Sequence, residues 1–334
     1  MNIAINGFGR IGRAVFKALL TKPGVKVVAI NDLTDTKTLA HLLTYDSCYG
    51  LYGSVKATSG AIVVKGVSYP VLAEKDPANL PWKKLKVDVV IESTGRFTDP
   101  ADAKAHLKAG AKKVILSAPA KGKGAKTFVL GVNAEKIKKS DNIISMASCT
   151  TNCLAPVTDI IRRNFGIEKA IMTTIHSYTA DQTLVDGPHK DLRRARAAAL
   201  NMIPTTTGAA IATTETIPEL KNKFDGLSVR VPTPVGSLCD VVYVLKKKTT
   251  IEKVNKILKK ATTLPKYRGL VAVTEDPIVS TDIVGNPASA IVDLALTNVI
   301  GGNLLKVISW YDNEWGYSNR LADLCVYLKK RKLV

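Results

Sequence analysis

The hydrophobic period changes twice within the first thirty residues. Asn2-Ile3-Ala4-Ile5-Asn6 is an apolar run of strand length. Val15, Phe16, Leu19 and Leu20 then return at helical spacing, and Val25 to Ile30 is apolar again. The same alternation predicts strands at Val87–Glu92, Val114–Ser117, Phe128–Gly131 and Ile143–Ala147, with helices at Lys37–Leu43 and Pro100–Ala109. Strands alternating with helices predict an open, mostly parallel sheet whose site lies at the carboxyl ends of the strands. The second half has a different rhythm. Longer strands are predicted at Lys169–His176, Leu227–Val231, Asp240–Lys246 and Leu304–Trp310, with helices at Thr150–Phe165, Gly208–Ile217 and Ile251–Ala261. That pattern suits a helix-backed, largely antiparallel sheet. The expected class is therefore α/β: a Rossmann-type doubly wound sheet domain plus an α+β catalytic domain. The expected boundaries are 1–148 and 149–313, with a last helix at about 314–334 returning to the first domain.

The junction after the first strand reads Gly7-Phe8-Gly9-Arg10-Ile11-Gly12, and Asp32 ends the second strand. A lone G-x-G-x-x-G is weak evidence. Between a strand and a helix, with an acid about 20 residues on, it is the full dinucleotide-binding fingerprint. Gly7 serves the tight turn, Gly9 the approach of a pyrophosphate and Gly12 the packing of helix on strand. The helix N-terminus binds phosphate, and Asp32 accepts from a ribose while repelling a 2′-phosphate. Thr94-Gly95 and Ser117-Ala118-Pro119 each follow a strand; either they line the same cleft or they are ordinary turns.

Ala147-Ser148-Cys149-Thr150-Thr151-Asn152-Cys153 sets a thiol among hydroxyls where a strand meets a helix. Unpaired N–H groups and the helix dipole are expected to lower the pKa of Cys149 there; the alternative is a small buried cap. Of four histidines, His176 ends the strand that follows the Cys149 helix, so it returns to the same cleft. A Cys–His pair serves acyl hydrolysis or aldehyde oxidation, and the dinucleotide fingerprint favours oxidation.

A length of 334 residues allows two domains with ample core. Five cysteines, odd in number and without a repeated framework, suit a reducing compartment, and no cluster suggests a metal. No signal pattern or membrane-length apolar run is present, so a soluble, cytoplasmic protein is expected. The formal net charge of +20 sits largely in lysine clusters such as Lys246–Lys248 and Lys329–Lys332. These are a solvated surface, or a field that attracts phosphorylated substrates and, non-specifically, nucleic acid. No nucleic-acid-binding signature converts that attraction into readout. The basic segment between His176 and Thr207, with Arg193-Arg194-Ala195-Arg196, is long for a loop without function; a subunit contact would also account for it.

Taken together, INGFGRIGR, ASCTTNCLAP, HSYTADQ, PHKDLRRARAAALNMIPTTTGAA, SVRVPTP and WYDNEWGYSNR run from end to end of the chain. They closely resemble the phosphorylating, NAD-dependent glyceraldehyde-3-phosphate dehydrogenases. The resemblance implies that Cys149 is the nucleophile and His176 its base, acting on glyceraldehyde 3-phosphate with inorganic phosphate as acceptor. It implies that Ser148, Thr150, Thr207 and Gly208 contact inorganic phosphate, and that Thr179, Arg194 and Arg230 hold substrate phosphate. Arg10, Ile11, Asp32, Ser117 and Asn313 match cofactor contacts, Tyr317 lies in the same block as Asn313, and Lys75 offers a backbone carbonyl to adenine. Leu33 and Pro188 match the NAD-using form, and a homotetramer is implied. Erythrose-4-phosphate dehydrogenase shares the fold and the thiol chemistry and is the nearest alternative. Two features depart from the pattern: Lys75 stands where many relatives have arginine, and Ile211 with Thr213-Thr214-Glu215-Thr216 replaces a lysine- and valine-rich helix.

Overall fold

The computed structural model describes residues 1–334. Its contacts divide into two compact units. The first comprises Met1–Phe128, Glu135–Ala147 and Ser318–Val334; the second comprises Val129–Ala134 and Ser148–Tyr317.

The first unit is built on a nine-stranded sheet. Asn2–Asn6 lies at its centre, parallel to Lys26–Asn31 on one side and to Val89–Glu92 on the other. Lys113–Leu116, Ile143–Ser145 and Lys126–Thr127 continue the parallel sheet outward. Because chain order reverses about Asn2–Asn6, the loops after it and after Val89–Glu92 part there and leave a cleft. The central strands are buried throughout, as a sheet covered on both faces requires: Ile3, Ala4, Ile5, Val89, Val90 and Ile91 expose nothing. Helices Arg10–Leu19 and Pro100–Lys108 supply crossovers, the second capped by Asp99 with Pro100 in its first turn.

The second unit carries a seven-stranded sheet in the order Ile203–Thr205, Phe224–Val231, Ile167–Ser177, Ser237–Leu245, Leu304–Tyr311, Ala290–Ile300, Val271–Thr274. Four of its six pairings are antiparallel. The sheet is thus largely antiparallel, as the longer alternating runs predict. Ser237–Leu245 alternates buried and half-exposed residues along its whole length, the mark of a strand with one face on a core. Helices Cys149–Phe165, Ala209–Thr216 and Ile251–Thr263 belong to this unit. No helix of the chain is long and apolar enough to cross a membrane.

One predicted strand is absent. Phe128–Gly131 is apolar and its first three residues are buried, yet only Lys126–Thr127 pairs as a strand. The neighbouring strand ends at Ser145, whose carbonyl takes the Phe128 N–H. Beyond it the chain turns: Val129 N–H bonds to Asn133 Oδ1, and Gly131 adopts φ +78°. Apolarity there reports burial, not pairing. Several strands escaped prediction, notably the meander Val55–Thr58, Ala61–Val64 and Val67–Leu72, and the long strand Ala290–Ile300. Pro70 argues against a strand, but it sits beside the partner Ala61 within a ladder only four pairs long.

Candidate active site

Gly7 turns with φ +91°, and a Cβ there would lie 2.6 Å from Thr94 N. A Cβ on Gly12 would lie 2.0 Å from the Gly7 carbonyl oxygen, so helix and strand meet at van der Waals distance only because that residue has no side chain. Gly9 differs: nothing lies within 4 Å of its missing Cβ. The backbone is therefore open at the one glycine where a pyrophosphate must come close. Gly9 precedes Arg10–Leu19 as its cap and has no side chain to bond the first-turn N–H groups, where Arg10, Ile11 and Gly12 stand.

Asp32 accepts from Phe8 N at 2.7 Å and from Thr34 N at 2.9 Å, which orients its carboxylate at the end of the second strand. A cleft of about 270 Å³ is lined by Gly7, Gly9, Asp32, Lys75 and Thr94, together with Asn6, Asn31, Glu74, Arg96 and Phe97. These donors and acceptors fit a dinucleotide. Sequence reasoning gives the last five residues no site role; the polar ends of two apolar strands, Asn6 and Asn31, are the available signal. Ser117 follows Lys113–Leu116, with its N–H on the Glu92 carbonyl, and does not line this cleft. Arg10 is committed at 3.1 Å to both oxygens of Asp46. The Thr94 hydroxyl is committed to Glu92.

In the second unit, Ser148 caps the helix Cys149–Phe165 by accepting from Thr151 N. Cys149 opens that helix. His176 Nε2 lies 3.4 Å from its sulfur, and His176 Nδ1 lies 2.7 Å from the Ser177 carbonyl. The imidazole packs edge-on to Tyr311 at 6.0 Å. Donation from Nδ1 to that carbonyl leaves Nε2 to accept a proton from the thiol.

The two domain profiles of one family match this chain: the glyceraldehyde 3-phosphate dehydrogenase NAD binding domain over residues 1–100 and the C-terminal domain over residues 148–313. Glyceraldehyde-3-phosphate dehydrogenase of Borreliella burgdorferi is 55% identical, over 99% of this chain and 100% of its own length. The enzyme of that name from Geobacillus stearothermophilus is 53% identical, over 100% and 99%. The chain belongs to the glyceraldehyde-3-phosphate dehydrogenase family.

In this family member the expected lowering of the Cys149 pKa does not occur. Burial pushes the thiol up to about 11, and the Arg230 charge offsets only part of that. Burial, with the Arg230 charge second, drives His176 down to about 3. The Thr150 hydroxyl and N–H, the next donors, do not overcome the loss of water either. Both shifts favour the neutral forms, a thiol beside a neutral imidazole, with Nε2 3.4 Å from the sulfur.

Arg230 Nη1 donates to Ser177 O at 2.9 Å and to Thr179 Oγ1 at 3.5 Å and lies 3.0 Å from His176 Nδ1, which in this tautomer bears its own proton, while its Nε is buried without a protein partner. Arg194 is held by Asp181, by Asp191 at 3.2 Å and by the Thr206 carbonyl at 3.2 Å. Thr207 Oγ1 accepts from Ala209 N, and Gly208 caps the helix Ala209–Thr216. Thr150 is buried, its hydroxyl on Tyr311 Oη at 2.8 Å, which also meets Thr174 at 2.9 Å. The sequence reading assigns no role to Asp181 of HSYTADQ or Tyr311 of WYDNEWGYSNR. Asn313 Oδ1 accepts from Ser177 Oγ, Gly236 N and Ser237 Oγ, so its amide nitrogen is the end left to donate. Tyr317 is buried, and its phenol is raised well above the usual range by burial and then by Cys149. Cys153 and Cys239 are buried, and none of the five cysteines forms a disulfide.

Proposed function

We propose that this chain oxidises glyceraldehyde 3-phosphate to 1,3-bisphosphoglycerate with NAD and inorganic phosphate. The observation that carries the reading is the 3.4 Å pair of Cys149 and His176, in a chain that also holds a complete dinucleotide fingerprint. Bound NAD supplies the hydride acceptor. Gly7, Gly9, Arg10, Ile11 and Gly12 bind it at the first helix, Asp32 the ribose, and Lys75 and Thr94 the neighbouring cleft, while Ser117 meets it outside that cleft, after the strand Lys113–Leu116. Asn313 and Tyr317 meet the nicotinamide. The chemistry begins when the Cys149 sulfur adds to the aldehyde carbon as His176 Nε2 takes the thiol proton. The resulting thiohemiacetal oxygen receives hydrogen bonds from the imidazolium and the Cys149 backbone N–H. The imidazolium gives its proton to that oxygen; on loss of the carbon's hydride, neutral His176 would take the hydroxyl proton back and a thioester would remain. A phosphate oxygen attacks the thioester carbon and the thiolate leaves.

Two anions must be held beside the sulfur. Arg230, with its buried, unpartnered Nε, Arg194 and Thr179 bind the substrate phosphate. Ser148, Thr150, Thr207 and Gly208 bind the attacking phosphate around two helix N-termini. The dinucleotide-binding domain spans 1–148 with the last helix, and the catalytic domain spans 149–313. Leu184, Leu192, Leu200 and Met202 are exposed along the basic segment and suit burial against further copies in a homotetramer. Its compartment is the cytoplasm.

The test is spectrophotometric: NADH formation from glyceraldehyde 3-phosphate, with and without inorganic phosphate. Turnover that depends strictly on phosphate is the expected result. Equal turnover without it, or preference for erythrose 4-phosphate, identifies the water-using relative instead.

A further inference from the structure

The proposed chemistry leaves one buried polar cluster unused. Glu92 ends the strand Val89–Glu92 with a side chain 1% exposed, and His106 of the helix Pro100–Lys108 exposes nothing. Trp82 Nε1 donates to His106 Nδ1 at 3.0 Å. An indole can only donate, so Nδ1 carries no proton, and Nε2–H donates to Glu92 Oε2 at 3.0 Å. Asn6 Nδ2 donates to the same oxygen at 2.6 Å. Glu92 Oε1 receives the backbone N–H of Thr94 at 2.8 Å and its hydroxyl at 2.5 Å. Four donors from three chain segments therefore converge on one carboxylate.

The chain of bonds continues past Asn6. Its Oδ1 accepts from Asn31 Nδ2 at 2.7 Å, and the Asn31 amide exchanges two bonds with the backbone of Glu74, each 2.9 Å. The path from Trp82 to Glu74 runs under the cofactor cleft and emerges on both of its walls. Asn6, Asn31, Glu74 and Thr94 all line that cleft. Thr94 leads to Arg96 and Phe97; Glu74 leads to Lys75. The Thr94 hydroxyl also accepts from Arg96 N at 3.0 Å, so Thr94 serves the cleft by its backbone and shape.

We infer that Glu92 is the positioning residue of the cofactor cleft: its carboxylate fixes the loop after Glu92 against the end of the first strand and, through Asn6 and Asn31, against the loop at Glu74. A buried carboxylate is a costly way to fill a core, and an apolar side chain would stabilise the fold at least as well. What the carboxylate adds is geometry. Any displacement of either wall strands a buried donor, so a single spacing is satisfied throughout. The inference rests on the reading of this cleft as the NAD site.

The experiment is calorimetric titration of the full-length protein with NAD and with ADP-ribose, for wild type, Glu92→Gln, Thr94→Val and Thr94→Ser. Glu92→Gln keeps the size but turns one acceptor into a donor that faces donors. Expected is a rise of about tenfold or more in both dissociation constants, matched in the KM for NAD. At saturating NAD, kcat and the KM for the aldehyde stay within about twofold. Thr94→Val, which deletes one donor, shifts the same constants in the same direction, and Thr94→Ser restores them. If wild type binds neither ligand, the NAD reading falls. If wild type binds both and Glu92→Gln and Thr94→Val bind as tightly, the role of Glu92 falls while the NAD reading stands. A loss confined to kcat overturns the role as well.

Discussion

The helix Cys149–Phe165 carries two ionisable groups, half-buried Cys149 in its first turn and buried Asp159 farther along, and the two are treated in opposite ways. Burial raises Cys149 to about 11 and meets little opposition. Burial also acts to raise Asp159, but Lys266, Arg162, Arg163 and Tyr267 all donate to it and bring it down to about 2. The desolvation has the same sign for both. What differs is the number of donors the fold commits. At Asp159 the charge is answered inside the protein and the carboxylate is structural. At Cys149 the fold commits no comparable set of donors, and the neutral thiol is favoured. A buried group whose partners are complete holds the fold; one whose partners are incomplete is where chemistry is done.

Three substitutions probe this contrast. The largest effect is expected at Cys149. Cys149→Ser removes the sulfur that must bond to carbon, and NADH formation should fall by about 10⁴-fold or more while calorimetric NAD binding survives. Substantial turnover in that variant would show that the sulfur is not the nucleophile. Next is Asp159→Asn, which leaves three cations without their shared anion. It should cost about 2–4 kcal/mol in urea unfolding. The sign of the pH effect follows from the pKa. Asp159 sits near 2 folded against 3.8 unperturbed, so its contribution is whole above pH 4 and lost as pH falls toward 2. That loss is about 2 kcal/mol, and the Asn variant should lack it. A variant with an unchanged acid limb would mean that the four donors do not hold the carboxylate.

Asp32 stands between the two cases, with two backbone donors in place and its remaining acceptor capacity facing the cleft. Asp32→Gly should therefore give the smallest change: a shift of about tenfold in the NADP-to-NAD ratio of kcat/KM, toward NADP. If the ratio does not move, discrimination belongs to Leu33 or Pro188.

Much of this molecule was legible in its sequence because local signals carried it. The period change around Gly7–Gly12, the acid at Asp32 and the strand-to-helix junction at Cys149 are short-range features, and the structure realises each with the geometry those residues permit. The alternating runs of the second half named most of its longer strands. Legibility failed where the deciding partner is remote. Phe128–Gly131 has the composition of a strand but no neighbouring backbone beyond Ser145 to pair with. The pKa of Cys149 depends on how completely the fold dries the sulfur, and no neighbour in sequence records that.

The sequence by itself determined the two kinds of sheet, the phosphate-binding turn and the pairing of a thiol with one histidine out of four, because periodicity, glycine sterics and capping act over a few residues. Only the tertiary structure decided that Thr94 spends its hydroxyl on Glu92, that Asn313 presents its amide nitrogen, and that the neutral thiol is favoured at Cys149. Each of those outcomes depends on hydrogen bonds or water exclusion imposed by segments far apart in the chain.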